Sequence, residues 1–414
     1  MLNTRIAVIG LGYIGLPTSA ALASRGVRVM GVDVNQHFVD EINAGRVPIV
    51  EPDLDTAVAG AVAMGHLTAS SEVPEADAFL IAVPTPFKGA FEPDLSYVRA
   101  ATESIAPRLR GAEVVILEST SPPGTTRQIS EWLAELRPDL TFPHQSATPD
   151  VNVAHCPERV LPGRIMVEMV TNDRVVGGLT RACAEKAAQI YRIFCEGEVV
   201  LTDATSAEMA KLTENSFRDV NIAFANELAS VCAKVGVDVW EVIRLANHHP
   251  RVNILNPGPG VGGHCIAVDP WFIVAAAPQE SRLIRTAREI NDARPGGVVD
   301  AIVEASPATD APVVACLGLA FKANIDDLRE SPALTITQML SKRLPHGTIL
   351  AVEPHVDALP QPLAALDNVH LVDADVAIAK ADVVALLVDH TQFHEIDRES
   401  LAGKQIVDTR GMWR

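Results

Sequence analysis

Arg5-Ile6-Ala7-Val8-Ile9-Gly10-Leu11-Gly12-Tyr13-Ile14-Gly15 is the stretch on which the fold turns. The apolar run Ile6–Ile9 predicts a buried strand, and three glycines follow it at G-x-G-x-x-G spacing. Pro17-Thr-Ser-Ala-Ala-Leu-Ala then opens as a helix. In that setting Gly10, Gly12 and Gly15 let backbone N–H groups approach a pyrophosphate at the helix N-terminus. The next strand ends in Val32-Asp33, ~20 residues on, where a dinucleotide-binding βαβ unit carries its acid. An Asp there accepts hydrogen bonds from ribose hydroxyls and repels a 2′-phosphate, so the expected cofactor is NAD and not NADP. Without a ligand the same residues are a tight βα turn.

Ile6–Ile9, Val27–Val32, Ala78–Val83 and Val114–Glu118 read as strands between Ala-rich helical stretches. Near-continuous apolar strands separated by helices predict a parallel sheet covered on both faces. Arg174-Val-Val-Gly-Gly and Gly197–Leu201 add to it. Thr205-Ser-Ala-Glu208 has capping-box spacing and predicts a long helix that stops at Gly236. Met209, Leu212, Ser216, Val220, Phe224, Leu228, Val231 and Val235 recur at steps of three and four and predict one buried stripe. At ~1.5 Å per residue such a helix runs roughly 45 Å, which suits a spine joining two domains and part of a subunit interface. Ser306-Pro-Ala-Thr-Asp-Ala-Pro312 reads as a linker. Strands resume at Val313–Leu317, Ile349–Val352, Val383–Val388 and Gln405–Asp408. The expected fold class is α/β, with two Rossmann-like doubly wound domains joined by a central helical region containing one long helix. Residues 1–202 are expected to bind NAD, 203–305 to form a helical dimerisation region with a reactive cysteine loop, and 306–414 to form the second Rossmann-like domain.

Composition narrows the function classes. The 414 residues include 34 Lys and Arg against 52 Asp and Glu, a formal charge of −18. Such a surface repels nucleic acid and anionic membrane, and there is no basic run to offset it. No apolar run approaches the ~18 residues of a membrane span. There is no export-signal pattern at the N-terminus. Six cysteines without a CxxC pair form neither a disulfide framework nor a zinc site, so no metal is expected and a reducing cytoplasm is.

Two further strand ends belong at the crevice where ligands gather in parallel sheets, Val83-Pro84-Thr85-Pro86 and Glu118-Ser119-Thr120-Ser121-Pro-Pro-Gly124-Thr-Thr126. Lys211, Asn215 and Arg218 fall at i, i+4 and i+7 on the long helix and share a face. Alone they read as a solvated face. Gly260-Val-Gly262-Gly263-His264-Cys265 changes that reading, because glycines before a cysteine permit close backbone approach to whatever the sulfur attacks. An NAD fold with a nucleophilic thiol points to oxidation beyond the aldehyde. The alcohol is oxidised, the aldehyde adds to the thiol as a thiohemiacetal, and a second oxidation gives a thioester that water cleaves. Lys211 and Asn215 could hold the oxyanion, and Glu158 in Cys156-Pro-Glu158-Arg159 could serve as the base for hydrolysis. Asp269, four residues beyond the cysteine, could orient a water or a base.

The set Gly10–Gly15, Val83-Pro-Thr-Pro, Glu118-Ser-Thr120, Cys156-Pro-Glu-Arg159, Glu208-Met-Ala-Lys211-Leu-Thr-Glu-Asn215, Gly262-Gly-His-Cys265 and Phe321-Lys322…Asp327-Leu-Arg329-Glu-Ser-Pro resembles the UDP-glucose/GDP-mannose dehydrogenase family, in order along almost the whole chain. The resemblance implies Cys265 as nucleophile and Lys211 as proton donor/acceptor or oxyanion partner. It implies Asn215 and Asp269 in handling water and charge, and Glu158 in thioester hydrolysis. Tyr13, Ile14, Asp33, Thr85, Thr120, Thr126 and Arg329 would touch NAD. Arg159, Val160, Lys211, Asn215, Arg218, His249, Arg251, Gly262, Phe321, Lys322 and Arg410 would touch the nucleotide sugar, with Arg251 offered from the partner subunit of a homodimer. The wording at Ile81-Ala-Val-Pro-Thr-Pro-Phe-Lys, Cys156–Gly163, Asn247–Asn253 and Pro259–Trp271 implies UDP-N-acetyl-D-mannosamine as substrate. Two NAD and water would yield the uronic acid, two NADH and protons, for a common-antigen-type or capsular surface polysaccharide. The glucose branch carries a second glutamate four residues after the first, and here that place is Pro162, which argues against UDP-glucose.

The same residues allow a UDP-N-acetylglucosamine enzyme, because C2 epimers differ by one or two hydrogen bonds. A two-electron hydroxyacid dehydrogenase would need no cysteine. A non-catalytic nucleotide-sugar sensor would keep NAD without turnover.

Overall fold

The computed structural model describes residues 4–49, 51–89, 91–161, 163–263, 265–309 and 311–413. The protein divides into two compact units, Met1–Glu214 with Trp271–Pro278, and Asn215–Pro270 with Gln279–Arg414.

The first unit is built on β1 (Arg5–Ile9), β2 (Arg28–Val32), β3 (Leu67–Ser70), β4 (Ala78–Ile81), β7 (Val114–Leu117), β8 (Asn152–His155), β9 (Arg174–Gly178) and β10 (Val199–Asp203), with a short hairpin β5 (Phe87–Lys88) and β6 (Glu92–Pro93) after β4. The sheet order is β10-β9-β8-β7-β4-β1-β2-β3. Alternation along each strand feeds two cores. Ile6, Val8, Leu80 and Ile116 pack on one side, and Ala7, Ile9, Phe79, Ile81 and Leu117 on the other. That two-sided burial is what near-continuous apolar strands require. Within this eight-stranded sheet all pairs are parallel except β8 with β9, which is antiparallel. The all-parallel expectation therefore fails at that one joint.

The second unit carries β11 (Val313–Leu317), β12 (Thr348–Val352), β13 (Val369–Leu371), β14 (Val383–Leu386) and β15 (Gln405–Asp408), all parallel, in the order β13-β12-β11-β14-β15. Val314 and Cys316 face one core, and Ala315 and Leu317 the other. The doubly wound α/β reading holds for both sheets.

The long helix runs from Ala204 to Val235, 32 residues, or ~48 Å at ~1.5 Å per residue. Gly236 follows it at φ +77°, an αL stop. Two expectations about it need correction. The capping box is not made, because Asp203 caps the helix instead. Its Oδ1 accepts from Ser206 N–H at 2.9 Å and its Oδ2 from the Ser206 hydroxyl at 2.5 Å. The buried line is also displaced. Leu212, Ser216, Asp219, Ala223 and Asn226 are buried at steps of three and four, whereas Phe224, Val231 and Val235 are exposed. A search for apolar residues passes over Asp219 and Asn226, two of the three polar members of the buried line.

Candidate active site

The dinucleotide crevice forms where β1 turns into the helix Gly15–Ser24. Gly10 has φ +94°, its N–H donates to Val32 O at 2.8 Å, and a Cβ there would lie 2.5 Å from Ala82 O. A side chain at Gly10 is thus excluded both by conformation and by space. A Cβ on Gly12 would meet nothing within 4 Å, so that face of the turn is open to a ligand. Asp33 follows β2. Its Oδ2 accepts from Leu11 N–H at 2.9 Å and its Oδ1 from Asn35 N–H at 2.8 Å, which leaves each oxygen a lone pair for a ribose hydroxyl. Tyr13 is exposed and Ile14 occupies the N-cap of the helix without a side-chain cap. These residues fit NAD.

The neighbouring strand ends are tied together. Ser119 Oγ donates to Val83 O at 2.6 Å and Thr85 Oγ1 to Thr120 O at 2.6 Å. Thr126 differs from the expectation of a cofactor contact. It is buried, and its hydroxyl and N–H both donate to Glu208 Oε1, at 2.6 and 2.7 Å. Glu208 Oε2 accepts from Gly124 N–H at 2.6 Å. The glutamate read as a capping partner for its own helix therefore caps Thr125–Leu136, whose first turn has unpaired N–H groups to offer.

A buried ionic cluster lies beneath this crevice, in the same unit, and sequence reasoning missed it. Glu118 accepts from Tyr191 OH at 2.7 Å and from Thr18 Oγ1 at 3.3 Å. Burial, reinforced by the nearby Glu158 charge, pushes the Glu118 carboxyl up from 4.5 to about 7. Arg174 is buried, donates to Glu158 Oε2 at 3.0 Å, and lies over the rings of Tyr191 and Phe194. Glu158 Oε1 accepts from Arg159 N–H at 2.7 Å. Burial pushes the Cys156 thiol up to about 12, so it is no nucleophile. The signal in the sequence was two charges at the ends of apolar strands, Glu118 after β7 and Arg174 opening β9. Arg159 grips Glu214 through Nη2 at 2.7 Å and Nε at 3.1 Å, and Val160 packs against the core.

The second unit holds the thiol. Cys265 is exposed, whereas Cys195 is half-buried and Cys156, Cys183, Cys232 and Cys316 are buried. The Cys265 carbonyl accepts from Val268 and Asp269 N–H at 3.0 and 2.8 Å. Asp269 is buried, and its Oδ2 accepts from Asn215 Nδ2 at 2.5 Å. A Cβ on Gly262 would collide with Glu330 O and sit 3.0 Å from the Phe321 Cβ. The glycine run thus lets the thiol loop lie directly against Phe321 and Glu330. Further back, Gly258 N–H donates to Asn226 Oδ1 at 2.8 Å, and Arg294 Nε donates to Gly258 O at 3.0 Å. Asn226, Asn291, Asp219 and Arg288 continue as one buried polar chain.

Other expected ligand contacts are spread over both units. Lys211 and Arg218 stand on the long helix, and Lys322 on the loop after β11. None of the three side chains makes an ion pair or hydrogen bond among the described residues. Arg329 pairs bidentately with Asp327 at 2.8 and 2.6 Å, and Arg410 with Asp389 at 2.9 and 3.3 Å. His249 and Arg251 are exposed, with the Arg251 N–H donating to His249 Nδ1 at 3.3 Å. Pro162 and His264 lie outside the described residues.

The chain matches three domains of one family in order: the NAD binding domain over residues 4–195, the central domain over 205–293 and the UDP binding domain over 315–414. With its dinucleotide crevice, this makes the protein an NAD-dependent nucleotide-sugar dehydrogenase. The chain belongs to the UDP-glucose/GDP-mannose dehydrogenase family. It is 60% identical to an NDP-N-acetyl-D-galactosaminuronic acid dehydrogenase of Ralstonia nicotianae, over 99% of this chain and 96% of that one. It is 59% identical to a UDP-N-acetyl-D-mannosamine dehydrogenase of Escherichia coli, over 99% of each. The solved structure of a UDP-D-ManNAc dehydrogenase from Pyrococcus horikoshii superposes with a TM-score of 0.87 at 37% identity, covering 99% of this chain and 96% of that one. Among the described residues no helix is long and apolar enough to cross a membrane.

Proposed function

We propose that this dehydrogenase oxidises UDP-N-acetyl-D-mannosamine by four electrons to UDP-N-acetyl-D-mannosaminuronate, in the cytoplasm, for a surface polysaccharide of common-antigen or capsule type. The Escherichia coli and Pyrococcus relatives support the sugar. The observation that carries the four-electron chemistry is Cys265, the exposed one of six cysteines, at the end of a glycine run.

In this reading residues 1–202 hold NAD, 203–305 supply the thiol and the subunit contact, and 306–414 hold the nucleotide. Gly10, Gly12 and Gly15 would receive the pyrophosphate, Asp33 the ribose, and Tyr13, Ile14, Thr85, Thr120 and Arg329 the rest of the cofactor. When bound, NAD takes up two electrons and a proton at each of the two oxidations. The Cys265 sulfur adds to the aldehyde carbon to form a thiohemiacetal, and the second oxidation leaves a thioester. Water cleaves it to carboxylate and returns the thiol. Covalent capture keeps the aldehyde from leaving between the two oxidations. Lys211 stabilises the oxyanion with its ammonium group. Asp269 fixes one N–H of Asn215, so the Asn215 carbonyl points in one direction and can orient the water. Glu158 serves thioester hydrolysis as the base, its oxygens positioned by Arg159 N–H and Arg174. Lys211, Arg218 and Lys322 can neutralise a diphosphate that a −18 chain would otherwise repel. Arg159, Val160, His249, Gly262, Phe321 and Arg410 complete the nucleotide-sugar contacts.

The exposed stripe of Phe217, Phe224 and Val231, at seven-residue steps on the long helix, supports a homodimer in which Arg251 reaches the partner's substrate. Phe224→Glu is expected to shift the protein to monomer in sedimentation equilibrium; an unchanged dimer contradicts this face. A second reading, an N-acetylgalactosamine-type substrate, is favoured by the equally similar Ralstonia relative. The test is turnover of the purified enzyme on UDP-N-acetylmannosamine, UDP-N-acetylglucosamine and UDP-N-acetylgalactosamine. The proposal expects the manno epimer to dominate, with two NADH per uronate. Preference for the galacto epimer selects the second reading, and one NADH with free aldehyde refutes the four-electron chemistry.

A further inference from the structure

We propose that Glu353 and His390 are positioning residues for nucleotide binding, a buried carboxylate–imidazole pair that pins the backbone on either side of Phe321 and Lys322. The proposal rests on the reading that Phe321 and Lys322 touch the nucleotide sugar.

Glu353 stands directly after β12, and it and His390 are both buried. Glu353 Oε2 accepts from Leu319 N–H at 2.7 Å and Ala320 N–H at 3.0 Å, and faces His390 Nε2 at 3.1 Å. Its Oε1 accepts from His355 N–H at 3.2 Å. His390 Nδ1 accepts from Asn324 N–H at 3.0 Å. Asn324 sits at φ +61° and is clasped by Thr391. Its Nδ2 donates to Thr391 Oγ1, and Thr391 N–H donates to its Oδ1, each at 2.9 Å. The loop is therefore held at 319, 320 and 324. Phe321 and Lys322 lie between those fixed points, with Phe321 N–H donating to Asp327 O at 3.2 Å and its side chain against Gly262 and Gly263.

The tautomer follows from the geometry. Because Nδ1 takes a backbone N–H, the imidazole proton lies on Nε2 and points at Glu353. Glu353, His355 and His390 bring ligand atoms within 4.8 Å of one another. That tautomer leaves Nε2 no lone pair for a cation, so the cluster is a scaffold and not a metal site. Burial pushes the Glu353 carboxyl up, but hydrogen bonds from His390 and the Leu319 and Ala320 N–H groups outweigh it and hold the carboxyl below its ordinary range. The pair thus keeps its ionised acceptor at neutral pH.

The imidazole touches no ligand in this account; it acts through the loop. Its two nitrogens can be replaced separately. Asparagine places an oxygen near the Nδ1 position and can accept from Asn324. Glutamine reaches the Nε2 position and can bond only Glu353. The test is calorimetric binding of UDP and of NAD to the full-length enzyme carrying H390F, H390N, H390Q or K322A, with the thermal midpoint alongside. H390F is expected to weaken UDP at least tenfold and NAD less than twofold. H390N should recover UDP affinity to within about threefold of wild type, while H390Q should not. If H390F fails to fold, the H390N and H390Q contrast decides. Wild-type UDP affinity in H390F with K322A weakened overturns the positioning role alone. So does parallel loss of UDP and NAD, or equal rescue by H390Q. Wild-type UDP affinity in K322A overturns the underlying reading and the proposal with it.

Discussion

Gly10 and Gly318 occupy the same place in the two sheets. Each follows a first strand, with φ of +94° and +93°. Each donates its N–H at 2.8 Å to the last residue of the neighbouring strand, Val32 or Val352. Leu11 N–H then donates to Asp33, and Leu319 N–H to Glu353. Asn35 N–H and His355 N–H close the other oxygen of each acid. From there the regions part. After Gly10 a helix begins at Gly15, and after Gly318 the next helix begins only at Pro332. Asp33 is half-buried with one donor on each oxygen, whereas Glu353 is buried and its Oε2 alone takes Leu319 N–H, Ala320 N–H and His390. The same turn therefore does two jobs. A short entry into a helix and an open acid suit a dinucleotide. A buried acid engaged in holding the backbone and a long loop suit the proposed site of side chains such as Phe321 and Lys322.

Replacing the two acids should show opposite signatures. Glu353→Ala strands three donors in the interior, at ~1–3 kcal/mol each, and is expected to cost about 4 kcal/mol in urea unfolding. Asp33→Ala strands two backbone donors near solvent and should cost about 1 kcal/mol of stability. It should raise the NAD KM about 30-fold while leaving the nucleotide-sugar KM within twofold, since hydrogen bonds to a charged acid are worth about 2 kcal/mol. Equal signatures for the two variants would break the comparison.

A smaller effect is expected below the first crevice. The folded protein holds the Glu118 carboxyl at about 7 against 4.5 in the unfolded chain. Below pH 4.5 both states are protonated and the group is neutral in the balance. Between pH 4.5 and 7 the unfolded chain ionises Glu118 while the folded protein keeps it protonated in the interior, so stability falls across that window, by up to about 3 kcal/mol at ~1.4 kcal/mol per unit, and levels off above it. Glu118→Gln should therefore gain on wild type between pH 5 and pH 8 in thermal or urea melts. A pH-independent difference would mean that Glu118 is already ionised at pH 5.

What was legible in the sequence was local. The first glycine turn, its strand and its helix lie within twenty residues, and Asp33 follows at fixed spacing. What was not legible depends on distant partners. Glu208 has the spacing of a local cap, but its donors are Gly124 and Thr126, more than eighty residues away. The apolar period on the long helix could not separate residues buried within one chain from Phe224 and Val231, which that chain leaves exposed. The Glu353–His390 pair spans 37 residues and carries no periodic signal.

The proposed four-electron chemistry depends on the Cys265 thiol. Wild type and Cys265→Ser should be mixed with UDP-N-acetylmannosamine and excess NAD, with NADH and uronate counted and the intact protein weighed during turnover. The expected result is two NADH per uronate and a sugar adduct on wild type, with uronate formation at least 1,000-fold slower and no thioester mass in the variant, as expected when a nucleophile is removed. Uronate formed at an undiminished rate by Cys265→Ser would contradict it.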